Sequence, residues 1–168
     1  MLNFLASMRL SALIIGFVTV TAVAETAPEF RAERLEGGKF LLSGALGDKI
    51  LLLHFWDSCC SGCREALPAV DSIAKAYREN VKVITVSTDS PKSQSKVKPF
   101  LKTNGYTFDV ILDPNLEIRK LFGGTETPFT VIILPSGEIA FKKAGAAPDE
   151  VGILGAALDS LIKPNNNH

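Results

Sequence analysis

Between Lys49 and Phe55 the chain reads KILLLHF, an apolar run broken only by His54 and bounded upstream by Gly47-Asp48. A strand with one wet face alternates polar and apolar residues. This one offers water almost nothing on either side, so it predicts a central strand covered above and below. The cover is legible downstream. Leu67, Val70, Ile73, Ala74 and Tyr77 recur at three- and four-residue steps, the mark of an amphipathic helix. Pro68 lies inside that pattern and predicts a kink about one turn in. VKVITVSTD, from Val81, is a second strand rich in β-branched residues. A helix is expected from about Pro91 to Asn104, with Lys92, Lys96, Lys98 and Lys102 as a solvated face.

TFDVILD is a third strand, followed by a short helix at 115–122. FTVIIL and EIAFKKA form a hairpin about Pro135-Ser136-Gly137. Pro148, Asp149 and Glu150 open a last helix, with Val151, Leu154, Leu158 and Leu161 on one face and Pro164 beyond its end. Before the central strand, FRAERL and KFLL flank Gly37-Gly38 as an N-terminal β-hairpin. The order β-β, β-α-β-α-β-α, β-β-α predicts an α/β fold: a central mixed sheet with helices on both faces.

All three cysteines, Cys59, Cys60 and Cys63, fall within FWDSCCSGCREALP. The longest loop they could close spans five residues, too short to constrain an unfolded chain. They are therefore there for chemistry. Cys60-Ser61-Gly62-Cys63 is a C-x-x-C placed after a buried strand and at the head of a helix. The first turn of a helix has free N–H groups and a partial positive charge, which stabilise a thiolate. Cys60, at the exposed end, is the expected nucleophile toward a substrate disulfide. Cys63, one turn further in, is the expected resolving thiol.

Metal readings are weaker. A structural zinc takes four ligands, and beside the thiols the chain has only His54 and the terminal His168. A haem attachment needs His after Cys63, where Arg64 stands. Copper is the serious alternative: Cys59 and Cys63 also form a C-x-x-x-C, which with His54 would suit a copper metallochaperone. No resident metal or cofactor is expected.

Residues 1–24 contain one charge, Arg9, then LSALIIGFVTV and AVA. This predicts a secretory signal peptide cut before Glu25, leaving 25–168 as one domain outside the cytoplasm, in the periplasm. Membrane contact is expected only if the segment is retained as an anchor. Eighteen basic and eighteen acidic residues leave no excess charge for nucleic acid.

ILLLHFWDSCCSGCREALP, ILDPNLEIRKLFG and TETPFTVIILPSGEIAFKKAG together resemble the TlpA/ResA-like branch of the thioredoxin superfamily, a likeness that runs to about residue 162. The resemblance implies a thioredoxin-like fold and a thiol–disulfide oxidoreductase, more often a reductase than an oxidant. It implies disulfide-bearing exported proteins such as apocytochrome c as substrates, and a membrane-bound thiol as electron donor. It implies a cis Thr127–Pro128 bond facing the cysteines, with Thr127, Pro128 and Trp56 contacting substrate.

Three departures stand out. Ser61-Gly62 replaces the usual Gly-Pro between the cysteines. Cys59 stands where tryptophan is common, either as a small apolar replacement or as a second attacking thiol. His54 takes the place of a buried acid and is a candidate proton relay for Cys63; Glu65 and Glu126 are weaker candidates. A peroxide-reducing enzyme on this fold would need an activating Thr and Arg around one cysteine, a pattern the sequence does not show.

Overall fold

The computed structural model describes residues 24–162. The leader 1–23 and Pro164 lie outside that range. Seven strands form one sheet: β1 (Arg31–Arg34), β2 (Lys39–Leu41), β3 (Ile50–Trp56), β4 (Val81–Ser87), β5 (Asp109–Leu112), β6 (Phe129–Ile133) and β7 (Ile139–Ala144). Their order across the sheet is β2-β1-β5-β4-β3-β6-β7. β3, β4 and β5 run parallel, while β6, β7, β1 and β2 pair antiparallel. The sheet is mixed, and it carries the expected N-terminal hairpin on its β5 edge.

β3 is buried along its whole length, as its composition requires. Its alternate residues feed two cores. Leu51, Leu53 and Phe55 join Phe30, Phe40, Phe122 and Phe129 on one face. This is the face of α1 (Leu42–Ala45), a single turn, and α4 (Glu117–Leu121). Ile50, Leu52 and Trp56 point to the other face. There they meet α2 (Ser61–Ala76), α3 (Val97–Asn104) and α5 (Glu150–Ile162). Two consecutive right-handed crossovers, β3-α2-β4 and β4-α3-β5, account for α2 and α3 sharing a face.

Local departures from the sequence reading have physical causes. α2 continues past Pro68, which is exposed, so the ring sits on the solvent side. The helix expected from Pro91 begins late: a Ser90 turn and a short 3-10 segment at 94–96 precede α3. Pro99 is tolerated because it falls in the first turn, where an N–H has no helical partner. In α5, Leu154 and Leu158 are buried, but Val151 is 48% exposed, so the apolar face is narrower than its spacing suggests. Leu116, with φ 62, turns the chain into α4, where the Asp113 carboxylate accepts from the amides of Ile118 and Arg119.

Leu53 is fully buried in the larger aromatic core. Leu53→Ala should lower unfolding free energy by about 2–5 kcal/mol, the range for a buried leucine truncated in a packed interior. Urea denaturation of the two proteins measures this directly.

Candidate active site

The site is made where β3 ends. The β3 terminus is pinned by Thr88, whose N–H and hydroxyl both donate to the Trp56 carbonyl, at 2.8 and 3.0 Å. Asp57 then turns the chain: its carboxylate accepts from Cys59 N at 2.7 Å and its carbonyl from Cys60 N at 3.2 Å. Ser58 is tied down by Asp89, which is fully buried at the end of β4. The Asp89 carboxylate accepts from Ser58 N (3.1 Å), Ser58 Oγ (2.6 Å) and Ser87 Oγ (3.0 Å). These bonds deliver Cys60 to the N-cap position of α2.

Cys60 Sγ accepts from the Cys63 amide at 3.1 Å, so the sulfur itself caps the helix. Cys60 Sγ also lies 3.6 Å from the Thr127 carbonyl, to which its thiol donates. Cys63 is buried, and its sulfur contacts that of Cys60. Burial, and then the bond to Cys60, push the Cys63 thiol up to about 12; the Asp57 amide and the Thr127 hydroxyl pull the other way. Cys63 is a protonated thiol at neutral pH.

The Thr127–Pro128 bond is cis, as the resemblance implied. Pro128 packs against the head of α2: a side chain at Gly62 would meet Pro128 Cδ at 3.6 Å and Ala146 Cβ at 3.4 Å. Gly62, between the cysteines, therefore lies directly against the proline loop and the loop after β7. Among the described residues, the Thr127 N–H has no backbone partner.

Other candidates fall elsewhere. Cys59 is exposed, with Sγ beside Ser58 Oγ at 3.9 Å. Glu65 and Glu126 are exposed. Trp56 is fully buried. It packs under Cys60 and Cys63 and against Phe100, at 5.4 Å between centroids. Alternation along β3 puts Trp56 on the α2 face, where its neighbours cover it completely, so it supports the site from below and does not reach a substrate.

His54 stands two residues before Trp56 on β3. It is fully buried, with Nδ1 2.9 Å from Thr130 Oγ1 and no partner for Nε2 among the described residues. Burial, and secondarily the charge of Lys143, lower its pKa from 6.5 to about 3. Cys60, Asp57 and Thr127 are the groups that act on the Cys63 thiol, and His54 is not among them; burial holds it neutral beside Thr130. Nor does it join the thiols as a metal ligand. Among the described residues, the group of metal-binding type with ligand atoms within 4.8 Å of one another is Asp57, Cys59 and Asp89, without His54, Cys60 or Cys63. The copper reading loses its histidine.

Residues 23–142 match the profile of the AhpC/TSA family. The chain belongs to the AhpC/TSA family. Thioredoxin-like protein YneN of Bacillus subtilis is 30% identical over 131 residues, covering 77% of this chain and 72% of YneN. Thiol-disulfide oxidoreductase ResA of Geobacillus thermodenitrificans is 29% identical over 122 residues, covering 72% of this chain and 68% of ResA. The crystal structure of StoA from Bacillus subtilis superposes with a TM-score of 0.64 at 27% identity, covering 79% of this chain and 97% of StoA. Within the AhpC/TSA family, this chain is a thiol–disulfide oxidoreductase of the ResA and StoA type, with a thioredoxin-like fold. Among its site residues, Asp57, Ser58 and Asp89 escaped the sequence reading; the polar cluster Ser87-Thr88-Asp89 at the end of a strand was the available signal.

The state of His54 has a measurable consequence. An unfolded His54 binds a proton below about pH 6.5, whereas the folded one does so only near pH 3. Stability from this group is complete above 6.5 and falls as pH drops from there toward 3, by up to about 1.4 kcal/mol per pH unit. His54→Gln, which can keep a bond to Thr130, should flatten the stability–pH curve by that slope. Urea unfolding of both proteins between pH 4 and 7 reads it.

Proposed function

We propose that this AhpC/TSA-family protein is an exported reductase of protein disulfides, with Cys60 as nucleophile and Cys63 as resolving thiol. The observation that carries the reading is the seat of Cys60 Sγ: one side on the Cys63 amide at the head of α2, the other on the Thr127 carbonyl beside cis-Pro128.

The Cys60 thiolate attacks one sulfur of the substrate disulfide. A mixed disulfide forms and the other substrate sulfur leaves as thiolate. Cys60 is then no longer a charge or a hydrogen-bond partner that holds the proton on Cys63. Both of those causes of its raised pKa disappear, while the Asp57 amide and the Thr127 hydroxyl remain to receive a thiolate. Cys63 gives its proton to a departing substrate thiolate and attacks Cys60 Sγ. The products are a substrate dithiol and a Cys60–Cys63 disulfide. Two electrons have moved to the substrate, and a membrane-bound thiol donor restores the dithiol. Buried Cys63 is reachable only through Cys60, which sets the order of the two attacks.

The Thr127 amide supports an extended polypeptide as substrate, since it offers a donor next to the attacking sulfur. Export rests on the signal-peptide reading of 1–24 with its AVA site, which supports residues 25–168 as a working domain in the periplasm. No helix among the described residues is long and apolar enough to cross a membrane. Disulfides of exported proteins, apocytochrome c among them, are the substrates this location and the resemblance favour.

Cys60→Ser should abolish reduction of insulin disulfides by dithiothreitol-fed protein. Cys63→Ser should stall after the first attack and accumulate one substrate per protein as a mixed disulfide, visible by intact-mass spectrometry. Full turnover by Cys60→Ser would refute the assignment of the nucleophile.

A further inference from the structure

The third loop around the cysteines, Gly145-Ala146-Ala147, contains no polar side chain with which to hold itself. Yet it is fixed closely against the site. Gly145 N donates to the Pro128 carbonyl at 2.8 Å, and Ala146 Cβ packs on Gly62 between the cysteines. Gly145 takes φ 74, in the region that favours glycine, which lets the chain turn sharply off β7.

What holds the loop comes from its two flanks. Lys143, on β7, places Nζ 2.8 Å from the Glu150 carboxylate and 2.5 Å from the Gly145 carbonyl. The same Glu150 oxygen accepts from Ala147 N at 3.0 Å. The Glu150 side chain is only 4% exposed and that of Lys143 only 15%. The carboxylate also sits at the first turn of α5, where the helix dipole favours a negative charge. Two partly or wholly dehydrated charges thus bond to each other and to the backbone of Gly145 and Ala147. The pair could be replaced by apolar groups with little loss of stability, so its bonds to the loop are the more telling fact.

We propose that the Lys143–Glu150 ion pair is the positioning device for the substrate-facing loop: it sets Gly145–Ala147 at the height where the Ala146 backbone lies alongside a polypeptide bound at cis-Pro128. Among the described residues, Ala146 has no backbone hydrogen-bond partner of its own. Its N–H and carbonyl are free for a chain paired with Thr127. Lys143 and Glu150 do not touch that chain; they act through the loop. Gly62 belongs to the same arrangement: a Cβ there would rest in contact with both Ala146 and Pro128, so the loop sits one side-chain layer from the cysteines.

The inference rests on the polypeptide-disulfide reading above, and the test separates the two. The full mature chain carrying Lys143→Met and Glu150→Gln together removes both charges and leaves neither one buried alone. For insulin, kcat and KM are measured with dithiothreitol as electron source; for the small disulfide 5,5′-dithiobis(2-nitrobenzoate), the rate is measured with pre-reduced protein after removal of the dithiothreitol. The expected result is a KM for insulin raised about tenfold with kcat within twofold, and a small-disulfide rate within twofold. Glu150→Gln alone keeps an acceptor for Ala147 N and should raise the same KM by about threefold, so the prediction survives a double variant that folds poorly. An unchanged insulin KM in a folded variant overturns the proposal. So does an equal fall for both substrates, which would mean that the pair supports the dithiol rather than the loop. Failure of the unmodified protein on both disulfides would instead overturn the reductase reading itself.

Discussion

The hydrogen bond from the Cys63 amide to Cys60 Sγ organises this molecule. It requires a helix that begins at a cysteine, and that helix is placed by the strand before it, which ends in a fixed place at Trp56. β3 meets that demand by being apolar on both faces: its side chains enter two cores at once and leave the strand no register but one. Thr88 and Asp89, at the end of the neighbouring parallel strand, then fasten Trp56 and Ser58. The rigidity of the interior is thus passed through a four-residue turn to one sulfur atom.

Electrostatics divides the two thiols into different roles. Cys60 is half-exposed and accepts from a backbone donor at the head of α2. Cys63 is buried, and its proton is held until Cys60 has reacted. The dithiol is therefore sequential by construction. The proline loop contributes on both counts: the Thr127 carbonyl accepts from the first sulfur, and its hydroxyl supports charge on the second. His54, in the place of a buried acid, stays neutral and serves as a fully buried bridge to Thr130.

Much of this was legible in the chain. KILLLHF announced a central strand, the spacing of Leu67, Val70 and Ile73 announced the helix behind it, and the C-x-x-C between them announced the chemistry. The order of strands was not legible, because the hairpin β1-β2 joins the sheet through β5, some 75 residues away, with the Arg34–Asp109 ion pair at the seam. The support of the site was hidden for the same reason. Asp89 holds Ser58 from 31 residues away and Glu150 holds Lys143 across a loop, and nothing local marks either pairing. Trp56 packs beside the cysteines as the motif suggests, but the core that includes Phe100 covers it completely, and nothing local in the sequence marks that cover. The single turn α1 is four residues long, below what periodicity can detect.

The central claim is that electrons pass through the pair Cys60–Cys63 and through no other sulfur. It is tested most directly by equilibrating the mature protein in graded thiol–disulfide buffers, quenching, and mapping the bonds by peptide mass spectrometry. The account predicts one two-electron transition that joins Cys60 to Cys63, leaves Cys59 free, and has a midpoint closer to about −270 mV than to about −120 mV, the values that mark a thioredoxin-like reductant and a strong oxidant. A bond that includes Cys59, or no internal bond at any potential, would contradict it.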